Sequence, residues 1–275
     1  MRWIALALAH SLCTACSDPT VATDPADAAA RTLQHLLITG TPESPAGATW
    51  TYRDTVDGVV YDLSGLLLKP TGSGPFPAVV LSHGYGGSAV STGRNVGAKM
   101  VAWGLVVIAT NYTHTGSGES GAPGTSAEPG ASAANVQRAR RAIAILAALG
   151  YVDTDRIAAH GHSMGAFVTT ALAATHGELL RVASHTAGGV RPDNTSGPAP
   201  SESQARAVRV PYQLHHGDRD QVVTLVSGQR LNEILQTTGT VHELLIYPGY
   251  DHNDIPSDAL MLERVRAWYA RYGLF

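Results

Sequence analysis

Cysteine, net charge and long apolar runs are all scarce in this sequence. Its 275 residues include two cysteines, too few to build a fold that depends on several disulfides. Charged residues make up 15% and the formal net charge is -3, so no nucleic-acid partner is predicted. Beyond the N-terminus no apolar run approaches the roughly 18 residues that cross a bilayer. What is present, 44% hydrophobic residues over this length, suits one large α/β domain.

The first residues have the pattern of a bacterial export signal. Arg2 precedes an apolar stretch over residues 3–9, and small residues lead to Cys16. They resemble the recognition box of lipoprotein signal peptidase, although Cys13 stands where that box usually has leucine. We therefore predict a signal peptide over residues 1–15 and an exported protein. Membrane attachment through a lipidated Cys16 and free secretion both remain open.

The rest of the chain divides into a leader and a folded region. Residues 18–30 are rich in Ala, Asp, Thr and Pro without a periodic apolar face, so residues 16–45 are predicted to be a flexible leader. Residues 46–275 are predicted to form a single domain in which short apolar runs alternate with helical stretches. Eight strands are predicted at residues 50–56, 60–68, 78–82, 105–110, 156–159, 181–185, 210–215 and 241–247.

The later apolar runs are continuous, as in parallel strands buried on both faces, which predicts a mostly parallel sheet with helices on both sides. Five helices are predicted at residues 91–103, 131–149, 164–176, 224–237 and 257–272. In the second, Arg138, Arg140 and Arg141 are expected to face solvent. The long Gly-, Ser- and Pro-rich loops at residues 113–132 and 188–203 are candidates for lining a substrate cleft.

The most specific motif is G-x-S-x-G, present as Gly-His-Ser-Met-Gly at residues 161–165. It follows a predicted strand and begins a predicted helix, which is the context this motif requires. The turn is so tight that side chains two residues before and after the serine would collide with backbone. We therefore predict that Ser163 is a strained, exposed nucleophile. The alternative is a serine that only caps the helix.

A serine hydroxyl needs a base within hydrogen-bond reach and an acid that orients this base. Two segments that each follow a predicted strand could supply them: His-Gly-Asp-Arg-Asp-Gln-Val-Val at residues 216–223 and Pro-Gly-Tyr-Asp-His at residues 248–252. Adjacent His215 and His216 point to opposite faces of their strand and cannot share a metal. No metal site and no cofactor are predicted.

With these motifs the sequence resembles the α/β-hydrolase superfamily over about residues 61–275, and in particular bacterial serine carboxylesterases related to dienelactone hydrolase. The resemblance implies an α/β-hydrolase fold. It makes Asp220 the acid, at the second D of the first segment, and His252 the base. Asp218, the rival acid, is then expected to shape the turn. Dienelactone hydrolases themselves use a cysteine nucleophile, so this chain, with Ser163 there, is not expected to open lactone rings as its main reaction.

The same resemblance implies an oxyanion hole. His-Gly-Tyr-Gly-Gly at residues 83–87 follows a predicted strand and matches the H-G-x loop of the superfamily, which makes the backbone N–H groups of Tyr85 and Met164 the donors. The Tyr85 ring is expected to form one wall of the acyl pocket. Tyr112 and His114 reach the same edge of the sheet, where they either contact substrate or only anchor their loop.

These residues predict a serine esterase that hydrolyses carboxylic esters of short or medium acyl chain through an acyl-enzyme. No long apolar insertion separates Ala187 from Val210, so no large cap is expected. Three alternatives remain: a cutinase-like polyester hydrolase, a serine peptidase, and a non-catalytic surface-binding lipoprotein with a hydrolase shell. The predicted partner is thus a small-molecule or polymeric ester.

Overall fold

The structure, a computed structural model, describes residues 25–56, 58–116 and 128–275. The predicted signal peptide and Cys16 lie outside these ranges, as do residues 117–127 of one predicted cleft loop. Within the described ranges, no helix combines the length and the hydropathy that a bilayer crossing requires.

A single sheet organises the described residues. Its strands are β1 (Leu36–Gly40), β2 (Ala48–Val56), β3 (Val59–Leu68), β4 (Phe76–Ser82), β5 (Val106–Thr110), β6 (Val152–His162), β7 (Val182–Thr186), β8 (Tyr212–Gly217) and β9 (His242–Tyr247). They lie in the order β1-β2-β3-β5-β4-β6-β7-β8-β9. The pairs from β1 to β5 are antiparallel, and those from β5 through β4 to β9 are parallel. This confirms the mostly parallel sheet, with nine strands instead of the predicted eight.

The ninth strand is β1, which lies inside the segment predicted to be a flexible leader. It pairs with β2 from Leu36 to Gly40, and a helix, α1 (Pro25–Gln34), precedes it. The prediction of a leader reaching residue 45 is therefore wrong for these residues. An edge strand is held by backbone hydrogen bonds to one neighbour, and an Ala-rich segment with proline in its first turn forms a helix readily, so neither needs an apolar periodicity.

The remaining helices cover both faces of the sheet. They are α2 (Ala89–Thr92), α3 (Ala98–Val101), α4 (Ala133–Ala148), α5 (Met164–Thr175), α6 (Glu202–Ala205), α7 (Leu225–Thr237) and α8 (Ala259–Arg271), with a π-helical turn, Gly93–Gly97, between α2 and α3. Alternate residues of β4 enter opposite cores, because successive side chains of a strand point to opposite faces. Val80 packs in one core with residues of α4, α5 and α7, and Val79 packs in the other with residues of α8.

One predicted surface residue lies in the core. The Arg138 side chain is only 1% exposed, its guanidinium lies 5.8 Å from the Tyr61 ring centre, and Nη1 donates to the Asp62 carbonyl. The expectation that Arg138 faces solvent is wrong. Helix periodicity identifies the apolar face of a helix, but it does not show whether another segment also packs on the polar face. Here the Arg138 side chain reaches Tyr61 and Asp62 of β3, and a long side chain can bury its stem beside an aromatic ring.

Parallel strands bring the predicted site residues to one edge of the sheet. The loops after β4, β6, β8 and β9 begin at their carboxyl ends, and they carry the segment at residues 83–87, Ser163, Asp220 and His252. Between β7 and β8, only the four-residue α6 adds regular structure. Residues that are far apart in sequence therefore meet at the rim where ligands bind in open α/β sheets.

Candidate active site

Ser163 occupies a strained turn between β6 and α5. Its backbone has φ 55 and ψ -118, and among the described residues only Ala187 is another non-glycine at positive φ. A Cβ at Gly161 would lie 2.2 Å from the Gly165 carbonyl oxygen, and a Cβ at Gly165 would lie 2.1 Å from that of Ser82. Both glycines of the motif are thus required sterically. Such a conformation costs on the order of 1–3 kcal/mol, which the surrounding packing must offset.

The three predicted side chains meet. His252 Nε2 lies 2.9 Å from Ser163 Oγ, and His252 Nδ1 lies 2.8 Å from Asp220 Oδ2. With the proton on Nδ1 donated to the carboxylate, Nε2 is free to accept the serine proton. All three residues are buried, with Ser163 only 6% exposed, so the predicted exposure of Ser163 is wrong. Its hydroxyl nevertheless lines open cavities on two sides.

The carboxylate of Asp220 is held in a fixed orientation. Its Oδ1 accepts hydrogen bonds from the backbone N–H groups of Val222 and Val223, both at 2.9 Å, which leaves Oδ2 for His252. Asp218 instead accepts from the Gly249 N–H at 2.7 Å and so joins the two loops. The geometry therefore separates the rival acids: Asp220 contacts the histidine, and Asp218 shapes the turn.

A second histidine, His216, lies against the same carboxylate. Its Nε2 donates to the Val223 carbonyl at 2.7 Å and lies 3.5 Å from Asp220 Oδ2. Burial lowers the pKa of His216, so the ring is neutral and donates a hydrogen bond rather than a charge. The sequence places His216 in the segment predicted to supply the acid or the base, and it predicts no specific contact for this ring. The H-G-x-x-D pattern could have indicated the contact between His216 and the loop of Asp220, because its histidine and its aspartate belong to the same short loop.

The loop at residues 83–87 packs directly on the nucleophile. A Cβ at Gly84 would lie 3.3 Å from the Ser163 Cβ, so glycine lets the loop approach closely. Met164 is the first residue of α5, so its N–H has no acceptor one turn earlier in the helix. Tyr85 is 74% exposed and lines the cavities on both sides of Ser163. The structure thus places Tyr85 and Met164 beside the serine hydroxyl, and their function as oxyanion donors remains a prediction.

Tyr112 and His114 do not line the cavities beside Ser163, so their predicted substrate contacts are not supported. His114 Nε2 donates to the His83 carbonyl at 3.1 Å, and its ring stacks on Tyr112 at 5.3 Å between ring centres. Tyr112 is 1% and His114 4% exposed. We name His83, Tyr112 and His114 the ring stack. Tyr112 and His114 anchor their own loop, which is the alternative that the sequence left open, and they join it to the loop at residues 83–87.

Burial keeps the ring stack uncharged. It lowers the pKa of His83 to about 4 and that of His114 to about 3, and it raises the pKa of Tyr112. Neutral imidazoles can accept as well as donate hydrogen bonds, and Gly130 N–H approaches His114 Nδ1 at 3.4 Å. The loop that faces the site of developing negative charge therefore rests on neutral groups.

Two cavities open on either side of Ser163. The larger has a volume of about 730 Å³ and the smaller about 520 Å³, and both are lined by Tyr85, Ser163 and Val222. Val222 and Phe167 are cleft residues that the sequence analysis did not single out. Val222 belongs to the pattern that holds Asp220, and Phe167 belongs to the apolar run of α5.

Comparison with known proteins agrees with the fold. The sequence pattern of the dienelactone hydrolase family matches residues 63–256, and the chain belongs to this family. The fold is the α/β-hydrolase fold, and the family is one of hydrolases. No curated protein sequence matches the chain.

Among solved structures, a thermophilic esterase from Thermogutta terrifontis, solved with butyrate bound, has a TM-score of 0.61 and 20% identity, over 81% of this chain and 93% of its own. Dipeptidyl peptidase 4 from Porphyromonas gingivalis has a TM-score of 0.66 and 16% identity, over 82% of this chain. This chain spans 36% of the length of that peptidase. At these identities the likeness shows a shared fold.

Proposed function

We propose that the protein is a carboxylesterase in which Ser163, His252 and Asp220 form the catalytic triad. The observation that carries the proposal is the continuous hydrogen-bonded chain from Ser163 Oγ through His252 to Asp220 Oδ2, at 2.9 and 2.8 Å, on a strained strand–turn–helix elbow. Such an elbow is costly to maintain, and it presents the hydroxyl where a carbonyl carbon can approach.

The proposed reaction proceeds in two halves. His252 Nε2 takes the proton of Ser163 as Oγ bonds to the ester carbonyl carbon, and the carbonyl oxygen becomes an oxyanion near the N–H groups of Tyr85 and Met164. The carbon–oxygen bond to the alcohol then breaks, and His252 returns its proton to the departing oxygen. Water repeats the sequence on the acyl-enzyme and releases the acid, while Asp220 holds the imidazole in one tautomer throughout.

The smaller cavity supports an acyl chain of short or medium length. It is lined by apolar side chains, including Met164, Phe167 and Val223, and its volume is about 520 Å³. With p-nitrophenyl esters of acetate, butyrate, octanoate and palmitate, we expect kcat/KM for butyrate or octanoate to exceed that for palmitate. A maximum at palmitate would contradict this assignment.

A fluorophosphonate probe tests the mechanism directly. It labels only an activated serine, so the chain should carry one label, located at Ser163 by peptide mass spectrometry, and denatured protein should carry none. A non-catalytic hydrolase shell would remain unlabelled. The labelled protein should also lose turnover of p-nitrophenyl butyrate in proportion to the label.

Peptide and polyester hydrolysis are second candidates, favoured by the fold shared with dipeptidyl peptidase 4 and by the opening of both cavities at the sheet edge. Esters and anilides of the same acyl group separate esterase from peptidase. We expect turnover of butyryl p-nitrophenol and no comparable turnover of butyryl p-nitroaniline. Release of soluble acid from an aliphatic polyester emulsion would establish polymer hydrolysis.

We also propose that the protein is exported, on the strength of Arg2, the apolar stretch at residues 3–9 and the small residues before Cys16. Mass spectrometry of the mature N-terminus distinguishes the two predicted forms. A diacylated Cys16 supports a membrane anchor, and an unmodified N-terminus after cleavage supports secretion. An intact Met1 in the native host would contradict export.

A further inference from the structure

The position of His252 determines which cavity receives the alcohol part of an ester. His252 and its neighbour Asn253 line the larger cavity, whereas Met164 and Phe167 line the smaller one. The group that protonates the departing oxygen must lie beside that oxygen. In the proposed mechanism this group is His252, so the alcohol lies in the larger cavity and the acyl chain in the smaller.

The two cavities differ in their chemistry. Polar side chains from two segments line the larger one: Ser91, Asn95 and Lys99 from one, and Asn253 and Ser257 from the other. The smaller one presents the apolar side chains of Met164, Phe167 and Val223, none of which lines the larger cavity, together with Thr224 and Ser227. The smaller cavity therefore suits an apolar acyl chain, and the larger cavity suits a polar alcohol.

Lys99 gives the larger cavity a positive charge. Its Nζ donates to the Ser257 carbonyl oxygen at 2.9 Å, which ties the ammonium to the cavity wall opposite α3. An ammonium has three donors, so two remain for a ligand. Among the described residues that line this cavity, Lys99 alone carries a formal charge.

The histidines of the same wall do not add to this charge. His160 and His162 line the larger cavity, and burial lowers the pKa of His160 to about 4 and that of His162 to about 3. His160 Nδ1 pairs with Ser184 Oγ at 2.7 Å, and His162 Nδ1 with Thr186 Oγ1 at 2.9 Å. Both rings are neutral at pH 7, so neither adds a positive charge to that of Lys99.

We propose that the larger cavity is a leaving-group subsite for esters whose alcohol or phenol part carries a carboxylate, which Lys99 binds. The proposal rests on the esterase function proposed above. In the reaction, the bond between acyl carbon and alcohol oxygen breaks and that oxygen takes the proton of His252. The carboxylate bound by Lys99 is unchanged and leaves with the alcohol.

Two matched esters test the subsite. Para-acetoxybenzoate carries a carboxylate on its phenol part, and para-acetoxybenzamide has the same size without the charge. A longer pair, para-acetoxyphenylpropanoate and its amide, allows for the distance between Ser163 and Lys99. The quantity to compare is the ratio of kcat/KM for the anionic ester to kcat/KM for its amide, measured in the parent and in each variant, so that the intrinsic reactivity of each ester cancels.

The variants are Lys99→Met, Lys99→Arg and Arg266→Met. Lys99→Met should lower the ratio about fivefold for at least one pair, mainly through KM, because one solvent-accessible ion pair is lost. Lys99→Arg keeps the charge and should retain most of the ratio. Arg266, an exposed residue of α8 that lines neither cavity, gives the matched charge change and should leave the ratio as in the parent. Added salt should reduce the parent's preference.

The outcomes separate the two proposals. An unchanged ratio in Lys99→Met, or an equal decrease in Lys99→Met and Arg266→Met, overturns the subsite while hydrolysis of the amides still supports the esterase. Failure of the parent to hydrolyse any ester, together with no fluorophosphonate label, overturns both.

Discussion

Two groups of histidines lie near Ser163, and the imidazole ring has a different function in each group. In the acid cluster, formed by Asp220, His216 and His252, the rings lie within 2.8 to 3.5 Å of a carboxylate oxygen. In the ring stack of His83, Tyr112 and His114, the imidazoles contact carbonyl oxygens, a hydroxyl and one another. One group contains the base that contacts the nucleophile, and the other packs against the loop at residues 83–87.

The difference shows how partners decide what a buried histidine can do. A carboxylate beside an imidazole compensates a positive charge on it, so His252 can take and return a proton during the proposed reaction. In His216 burial outweighs the same carboxylate and lowers the pKa, so this ring stays a neutral hydrogen-bond donor. Burial without such a partner penalises the charged form, which leaves the ring stack as a neutral support. Both groups are needed for the proposed reaction, since one moves the proton and the other fixes the loop of Tyr85.

The largest expected effect comes from removing Ser163 Oγ, the proposed nucleophile. Ser163→Ala should lower kcat for p-nitrophenyl butyrate about a millionfold, because the nucleophile is lost and only transition-state binding remains. The circular dichroism spectrum should match that of the parent, since alanine is smaller and accommodates the strained turn no worse than other non-glycine residues. Turnover at the parent rate would refute the mechanism.

The second-largest effect distinguishes Asp220, the acid of the acid cluster, from Asp218, the rival acid two residues away. Asp220→Asn should lower kcat about ten-thousandfold, because an amide no longer holds His252 in the required tautomer. Asp218→Asn is the matched control: it changes the same charge two residues away, where the carboxylate contacts the Gly249 N–H, and should lower kcat less than about tenfold. Equal losses in the two variants would contradict the assignment of Asp220.

The histidines of the ring stack should make the free energy of unfolding depend on pH. The unfolded histidines protonate near pH 6.5, whereas folding lowers the pKa of His83 to about 4. Between these values the unfolded state binds more protons, so the free energy of unfolding decreases as pH falls, by up to about 3 kcal/mol for this residue alone. Above the unfolded value this stabilisation is fully present. Urea denaturation at pH values from neutral to mildly acidic measures the slope.

His114→Phe should flatten that slope, because burial lowers the pKa of His114 to about 3 and the variant removes this group. His35→Gln is the control, since His35 is exposed and lies outside the stack. The slope in His35→Gln should equal that of the parent. If His114→Phe also left the slope unchanged, the ring stack would not be the neutral, buried group described here.

The smallest effect tests whether His216 positions Asp220 without being part of the triad. His216→Leu removes the donor to the Val223 carbonyl and loosens the loop that holds Asp220, so kcat should fall about tenfold with KM nearly unchanged. His216→Gln keeps a donor in reach and should recover most of this loss. A large change in KM, or no recovery of kcat in the glutamine variant, would show that His216 does not position Asp220.

Motifs in which the local backbone requires particular residues could be predicted from the sequence. The elbow at residues 161–165 needs glycine at both ends because any Cβ there meets backbone at about 2.1 to 2.2 Å. Strands buried on both faces and helices with one apolar stripe also leave clear patterns. Asp220 and His252 followed from the resemblance, since spacing alone left Asp218 as a rival acid.

Features that depend on what covers a segment could not be predicted. β1 is added to the sheet by backbone hydrogen bonds to β2, which any sequence can form, and Arg138 is buried because its side chain packs against Tyr61 and Asp62 of β3. Tyr112 and His114 end at the correct edge of the sheet, but only packing determines that they turn beneath a loop instead of toward a ligand.

The amino-acid sequence by itself determined the nucleophile turn and the order of alternating elements, because these depend on local backbone sterics and on short patterns. The choice of Asp220 and His252 needed the family resemblance as well. The tertiary structure alone decided which histidines face a carboxylate, which side of Ser163 is polar, and where Lys99 places its charge. Those properties arise between segments that are distant in the chain, and their energies depend on burial and on partners supplied by other elements.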